Sequence, residues 1–322
     1  MVSFLKEVLS MPLLWIAAAL VLLSLTAAYV CYRMAFYAPA RKPVGPDEYP
    51  IPEGSIYEPF REQMVAWMKE CRAMDREDVS ITSFDGLTLR GYFYEYAPGA
   101  PIELMMHGYR GDAERDLCGG VQRCFEMKRS VLLVDQRGCG RSDGHVISFG
   151  INEHRDCLDW ARYLNKRFGK DVPIILTGIS MGAATVMIAA GQDVPENVVG
   201  VIADCGYTSA KEIIQKVIQD LHLPPKLSYP FVKLGARLFG HFDLESYSPI
   251  DAMKSCKVPV FFVHGESDDF VPCDMSRACS KACAKENILL TVPGAGHGLA
   301  YLIGKQAYFD ALEPLHFPAY EN

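Results

Sequence analysis

Short apolar runs recur along the chain between residues 102 and 296, and each is followed by a turn that is rich in glycine. Most of the runs are separated by segments whose apolar residues have helical spacing, such as residues 151–168 and 274–286. Apolar strands that alternate with helices are typical of a parallel sheet that is buried on both faces. The runs are IELMMHG, SVLLVDQRG, PIILTGIS, VVGVIADCG, PVFFVHGES and ILLTVPGAG. This pattern predicts an α/β domain with a mostly parallel, twisted sheet, whose ligands bind beyond the carboxyl ends of the strands.

A helix and a hairpin precede these strands. Residues 57–74 have the spacing of an amphipathic helix, with one apolar face made of Phe60, Met64, Trp67, Met68 and Cys71. Apolar residues then recur at every second position in the stretch VSITSFDGLTLRGYFYEY. That stretch alternates around Asp85-Gly86 and predicts a β-hairpin.

One gap interrupts the alternation of strands and helices, at residues 207–256. Connections inside compact domains are usually much shorter, so we predict that this segment is a lid inserted over the strand ends. It contains the helical stretch SAKEIIQKVIQDLH and is rich in Leu, Phe and Tyr. We therefore expect the lid to supply the apolar wall of a pocket.

The N-terminus is far more apolar than the rest of the chain. No charged residue lies between Glu7 and Arg33, and a helix of those 25 residues would be roughly 37 Å long, more than the ~30 Å hydrocarbon core of a bilayer. Trp15 near one end, and Tyr29 and Tyr32 near the other, fit an interfacial aromatic belt. A cleaved signal peptide is the alternative, but it has a shorter apolar core behind a basic start.

These features divide the chain into three parts. Residues 1–37 are predicted to form an N-terminal membrane anchor. Residues 38–56 contain five prolines, which predicts a stiff, extended linker that separates the anchor from the domain. Residues 57–322 form the predicted α/β domain.

The charge and the cysteine content indicate the cellular compartment and restrict the classes of binding partner. The formal charge of −7 and the lack of a basic run argue against nucleic-acid binding. Arg33, Arg41 and Lys42 follow the apolar segment, so the positive-inside rule places the domain in the cytoplasm. Eleven cysteines without the spacing of a disulfide framework agree with a reducing compartment. Cys279 and Cys283 stand at i and i+4, but no third ligand is close in sequence, so we predict no metal site.

The pentapeptide Gly178-Ile179-Ser180-Met181-Gly182 follows one predicted strand and begins a helix. It fits G-x-S-x-G, the nucleophile elbow, in which a strained turn presents a serine hydroxyl above the sheet. Side chains at Gly178 and Gly182 would collide with the neighbouring strand and helix. Ser180 is therefore the candidate nucleophile, and a tight helix start without chemistry is the alternative.

A serine nucleophile needs a base within reach and a carboxylate that orients the base. His297 lies in the glycine-rich stretch VPGAGHG after the last strand, where an imidazole can reach Ser180. Asp268 and Asp269 follow the preceding strand, and one of them can turn inward. Asp204 follows an earlier strand and is a further candidate, or else a carboxylate that caps a turn.

The oxyanion of the intermediate needs two N–H donors. The stretch MMHGYRGD follows the first parallel strand, and Gly108 in it is expected to let the backbone approach closely. We predict that the N–H groups of Tyr109 and Met181 are the donors. His107 is expected to brace this loop, and Arg110 is expected at the pocket rim.

The chain resembles the α/β-hydrolase superfamily, and in particular membrane-anchored bacterial hydrolases related to the Bem46-like and serine-aminopeptidase-like groups. The resemblance implies Asp268 as the acid, through the spacing H-G-x-x-D-x-x-V-P, and its chain order is Ser180, Asp268, His297. It also implies a serine hydrolase without a metal or an organic cofactor, and a structural role for the turn DQRGCGRSDG. The matching motifs are HGYRGD, VDQRGCGRSDG, FGINEHRDCLDWARYL, GISMGAAT, ADCGYTS, HGESDDFVP and GAGHG.

The expected activity is hydrolysis of a carboxylic ester, and the lid and anchor favour a small-molecule or lipid-like acyl substrate. An aminopeptidase would need an acidic group for the substrate amine, which Asp243, Glu245 or Asp251 of the lid could supply. A thioesterase or acyltransferase would use the same triad. A membrane-tethered binding module without catalysis is the alternative from another functional class.

Overall fold

The computed structural model describes residues 2–39 and 44–321. Its strands are β1 Glu77–Thr82, β2 Thr88–Tyr94, β3 Ile102–Met106, β4 Ser130–Asp135, β5 Ile174–Ile179, β6 Val198–Asp204, β7 Val260–Gly265 and β8 Asn287–Val292. They form one sheet in the order β1-β2-β4-β3-β5-β6-β7-β8. The strands β3 to β8 pair in parallel, and β1 and β2 form an antiparallel edge.

Helices cover both faces of the sheet. In the described chain they are α1 Val2–Ala35, α2 Arg61–Ala73, α3 Ala113–Glu126, α4 Glu153–Phe168, α5 Met181–Ala190, α6 Ala210–Asp220, α7 Pro225–Phe239, α8 Pro249–Met253, α9 Cys273–Ala282, α10 Ala300–Ile303 and α11 Lys305–Leu312. Side chains of α4, α5, α8 and α9 pack on one face, and those of α2, α3, α10 and α11 pack on the other. The predicted α/β architecture is confirmed.

The local predictions from periodicity agree with the structure. The six apolar runs form β3 to β8, and the turn at Asp85-Gly86 joins β1 to β2 as an antiparallel hairpin. The predicted helix at residues 57–74 is a short 3₁₀ turn followed by α2. On its apolar face Met64, Met68 and Cys71 are buried, and Met68 and Cys71 pack against α3 and the sheet.

The N-terminal helix α1 continues into the domain. Its residues 14–23 are exposed, whereas Ala28, and Phe36 just beyond the helix, are fully buried. A Cβ atom on Gly235 of α7 would lie 2.4 Å from the backbone oxygen of Ala28, so this crossing needs a glycine. The end of α1 is thus part of the core, and residues 38–56 do not hold it apart from the domain as expected.

The predicted lid segment contains α6, α7 and α8. Apolar side chains of α6 and α7 cover the end of α1, so that Tyr32 and Phe36 share one cluster with Ile214, Tyr229 and Val232. The lid therefore uses its apolar surface to hold the N-terminal helix.

Candidate active site

Ser180 occupies the sharp turn between β5 and α5. Its φ of 57° is a left-handed conformation that serine rarely adopts, and its N–H donates to the carbonyl of Asp204 at 2.8 Å. A Cβ atom on Gly178 would lie 2.1 Å from the backbone oxygen of Gly182, and one on Gly182 would lie 2.0 Å from that of Met106. The turn that carries the serine therefore needs glycine at both positions.

Asp268 and His297 lie in the loops after β7 and β8 and are joined by a hydrogen bond of 2.7 Å from Nδ1 to Oδ2. The other oxygen, Oδ1, accepts the N–H groups of Phe270 and Val271 at 3.0 and 2.8 Å. Burial alone would raise the pKa of Asp268, but the hydrogen bonds from His264 and His297 hold it well below its usual range. A fixed, charged carboxylate of this kind can orient an imidazole base.

His264 is a second imidazole on the same carboxylate, and sequence reasoning missed it. Its Nε2 lies 2.8 Å from the carbonyl of Val271 and 3.2 Å from Asp268, and its Nδ1 lies 2.6 Å from Ser276 Oγ. A carbonyl can only accept, so Nε2 carries the proton and Nδ1 accepts from the serine hydroxyl. Its position four residues before Asp268, in H-G-x-x-D, was the available clue.

Ser180 and His297 line one cavity. No hydrogen bond joins the serine hydroxyl to the imidazole in the described chain, and such bonds are often long before a substrate binds. The carbonyl of His297 accepts the hydroxyl of Tyr57 at 3.0 Å. The ring of Phe270 meets the imidazole edge-on, with ring centres 5.2 Å apart. These contacts hold the loop of His297 in the wall of the cavity that Ser180 also lines.

Tyr109 and Met181 carry the two predicted oxyanion donors. Neither N–H has an acceptor within the part of the chain that the structure describes, and Met181 begins α5, where N–H groups lack partners inside the helix. A Cβ atom on Gly108 would lie 3.5 Å from Asp116 Oδ2 and 3.7 Å from Ser180 Cβ, which is ordinary contact. The backbone approach expected at Gly108 therefore does not depend on glycine.

His107 and Asp135 organise the neighbouring loops without facing the nucleophile. His107 Nε2 accepts the N–H of Gln136 at 3.0 Å, and the Gln136 side chain donates to the carbonyl of His107 at 2.6 Å. Asp135 accepts the N–H and the side chain of Arg141 at 3.2 and 3.0 Å. Both residues thus have the structural positions that were expected of them.

The end of α1 is tied to the loop after β3 that carries Tyr109 and Arg110. The hydroxyl of Tyr109 donates to the carbonyl of Ala35 at 2.8 Å. The guanidinium of Arg110 donates to the carbonyls of Met34 and Tyr37 at 2.9 and 3.1 Å. Arg110 borders the cavity as expected, and it also fixes the N-terminal helix beside the site.

The cavity has a volume of about 880 Å³. Its wall comes from residues 52–57, from Met64 and Trp67 of α2, and from Tyr301, whereas no described residue of 207–256 lines it. The expectation that the lid supplies the apolar wall is therefore wrong, because the lid side chains cover α1 instead. Residues 52–56, which belong to the segment predicted to be a linker, form part of the wall instead of the lid.

Other acidic residues take different positions. Asp269 borders the cavity, but its side chain makes no hydrogen bond to His297 in the described chain. Asp243, Glu245 and Asp251 of the lid do not line the cavity at all. The lid acids are thus unavailable to a substrate that is bound there.

Asp204, the further candidate acid from the sequence, also borders the cavity. It is 7% exposed, and its Oδ1 has no hydrogen-bond partner in the described chain. Burial raises the pKa of this carboxyl to about 6. Its carbonyl accepts from Ser180, but its carboxylate caps no turn, unlike the structural interpretation made from the sequence.

Cys205, Asp268 and His297 place three donor atoms within 4.8 Å of one another. Burial raises the pKa of the Cys205 thiol well above its usual range, so the thiol stays protonated and is a poor ligand. Asp268 is already bonded by four donors. The chemistry of the set fits an acid–base pair better than a metal ion. All eleven cysteines, Cys279 and Cys283 included, are free thiols.

Comparison with known proteins gives consistent matches. The profile of the α/β-hydrolase fold family matches residues 104–238. The Bacillus subtilis protein YqkD, which is uncharacterised, is 24% identical over 73% of this chain and 77% of its own length. Bem46 of Schizosaccharomyces pombe is 25% identical over 62% of each chain. An esterase from Pyrococcus furiosus superposes with a TM-score of 0.62 at 20% identity, over 86% of this chain and 98% of its own.

Proposed function

We propose that this chain, which has the α/β-hydrolase fold, is a serine hydrolase of carboxylic esters. The observation that carries the proposal is the arrangement of Ser180, His297 and Asp268. The serine stands on a strained turn, and the imidazole is bonded to a buried carboxylate and borders the same cavity. This arrangement supplies a nucleophile, a base and an orienting acid.

In the proposed mechanism, Ser180 Oγ attacks the ester carbonyl while His297 Nε2 takes its proton. Asp268 holds the proton on Nδ1 and stabilises the imidazolium that forms. The N–H groups of Tyr109 and Met181 bind the oxyanion. The alcohol leaves with the proton from His297, and water then cleaves the acyl-enzyme by the same steps.

The cavity favours a small-molecule or lipid-like ester with an apolar part. A volume of about 880 Å³ lies within the range of drug-sized ligand sites. Met64, Trp67, Ile179 and Tyr301 give it apolar walls. We expect turnover to rise with acyl length until the cavity is filled.

The test is a series of p-nitrophenyl esters from acetate to palmitate, with the full chain in detergent and with the Ser180→Ala variant. The proposal predicts turnover that depends on Ser180 and has an optimum in chain length. Turnover of equal rate in the variant would contradict it. Cleavage of amino-acid amides without ester turnover would instead favour a peptidase, for which Asp204 is the available acid. Turnover of thioesters, measured in the same series, tests for thioesterase or acyltransferase activity.

We also propose that α1 anchors the protein in a membrane, with the domain in the cytoplasm. Within the described residues, one helix segment, Leu14–Ala35, is long and apolar enough to cross a bilayer. A cleaved signal sequence could share that composition, but cleavage would remove Ala28 and Tyr32 from the core. The orientation follows from Arg33, Arg41 and Lys42, of which the last two lie outside the described residues.

Protease treatment of intact cells tests the orientation. A C-terminal tag should resist protease until the membrane is permeabilised, and digestion in intact cells would place the domain outside. Recovery of the chain in the soluble fraction would contradict the anchor.

A further inference from the structure

One carboxylate in the cavity wall has no part in the proposed mechanism. Asp204 ends β6 and lies opposite Ile179 of β5 in the sheet register. Its carbonyl accepts the N–H of Ser180 at 2.8 Å, and the residue borders the same cavity as Ser180. The carboxylate therefore stands one strand away from the nucleophile.

Asp204 differs from the other buried carboxylates of the described chain. Its Oδ1 is buried without a partner, and no donor to its second oxygen is found among those residues. The others each accept at least two hydrogen bonds, and they are Glu103, Asp135, Glu153, Asp156 and Asp268. A buried carboxylate that serves the fold is nearly always paired, since burial removes its hydration. Asp204 lacks the pairing that a structural role requires.

Polar neighbours in the cavity wall are committed elsewhere. The guanidinium of Arg123 is bonded to both oxygens of Glu103, and Thr177 Oγ1 donates to the same carboxylate at 2.9 Å. His297 directs its Nδ1 to Asp268. None of these groups donates a hydrogen bond to the Asp204 carboxylate in the described chain.

Met105, Ile179 and Ile202 lie on the same face of the sheet as Asp204 and line the cavity beside it. A buried acceptor without a partner discriminates strongly, because a substrate that lacks a matching donor leaves it unpaired. We propose that Asp204 binds a hydrogen-bond donor, an ammonium or a hydroxyl group, which the substrate carries a few atoms from its scissile carbonyl. This inference rests on the proposed ester hydrolysis at Ser180.

The test compares matched p-nitrophenyl esters of one chain length. One ester is unsubstituted, and the others carry an amino or a hydroxyl group at successive carbons. The full chain should prefer a donor-bearing ester at one position by about tenfold or more in kcat/KM. A preference for the amine alone identifies an ammonium ligand, and a preference for both identifies donation in general. Equal kcat/KM for all esters would overturn the proposal, and this result needs no variant.

Asp204→Asn keeps the shape but removes the charge, so the amine preference should fall by about tenfold or more. Asp269 borders the same cavity, so Asp269→Asn is the matched control. Its preference for the amine-bearing ester should stay unchanged. An unaltered preference in Asp204→Asn would overturn the proposal. If the wild-type chain cleaves no ester and Ser180 is not acylated, the proposed hydrolase function fails instead. Turnover of the plain ester without any donor preference refutes the role of Asp204 alone.

Discussion

Replacing Phe36 by alanine tests whether the N-terminal segment belongs to the core. Phe36 is fully buried, and its ring meets those of Phe149 and Phe242 edge-on, with centres 5.8 and 5.2 Å apart. Removing a buried Phe side chain costs about 3–5 kcal/mol from lost burial and the cavity left behind. Because domains of this kind are stable by about 5–15 kcal/mol, the loss should be a large part of the total.

The assay is urea unfolding of the full chain in one detergent, followed by tryptophan fluorescence. Val30→Ala is the matched control, because Val30 lies on α1 and is 48% exposed, and it should change stability by less than about 0.5 kcal/mol. We also expect a chain that starts at residue 25 to fold, and one that starts at residue 39 to be destabilised. Equal unfolding midpoints for Phe36→Ala and Val30→Ala would refute the packing of this segment on the domain.

Three further predictions concern buried carboxylates. Asp268→Asn should lower kcat by about 10⁴-fold, since the imidazole loses its orienting partner, whereas Asp269→Asn should leave kcat unchanged; equal effects in the ester assay would contradict the assignment. Burial raises the pKa of Asp204 to about 6, so the folded state holds this proton more tightly than the unfolded state. Asp204 should therefore contribute roughly 3 kcal/mol of stability at low pH that is lost as pH rises from about 4 to above 6, and in urea titrations at several pH values Asp204→Asn should differ from the wild-type chain by the loss of this contribution. Burial would raise the pKa of Glu103, but Arg123 and Arg129 lower it to about 2. Glu103→Gln should destabilise the protein by about 3–5 kcal/mol in the same assay, because it leaves buried cations unpaired.

Periodicity and turn signals located the strands and several helices of the domain, because each depends on neighbours in sequence. The run PIILTGIS predicts both β5 and the turn at Ser180, since a strand followed by small residues allows few other conformations. The hairpin at Asp85-Gly86 follows from local turn chemistry in the same way. Such features can be predicted from the sequence, because the physical constraint and the residues that satisfy it are adjacent in the chain.

Long-range packing was not readable from the sequence. The Leu, Phe and Tyr content of residues 207–256 indicated burial but not the surface they cover, and that surface is the end of α1, about two hundred residues away in the chain. The missing partner of Asp204 likewise depends on which groups the other strands and loops bring to it. The identity of a residue and of its sequence neighbours does not reveal whether its carboxylate will be buried with a hydrogen-bond partner.

The most direct test of the central claim is labelling of the folded, full-length chain with a fluorophosphonate, followed by mass spectrometry of its peptides. A nucleophilic serine activated by His297 should give a single adduct on Ser180, and Asp268→Asn should slow its formation. No adduct in folded protein would instead favour a binding module without catalysis, and an adduct on another residue would contradict Ser180 as the nucleophile.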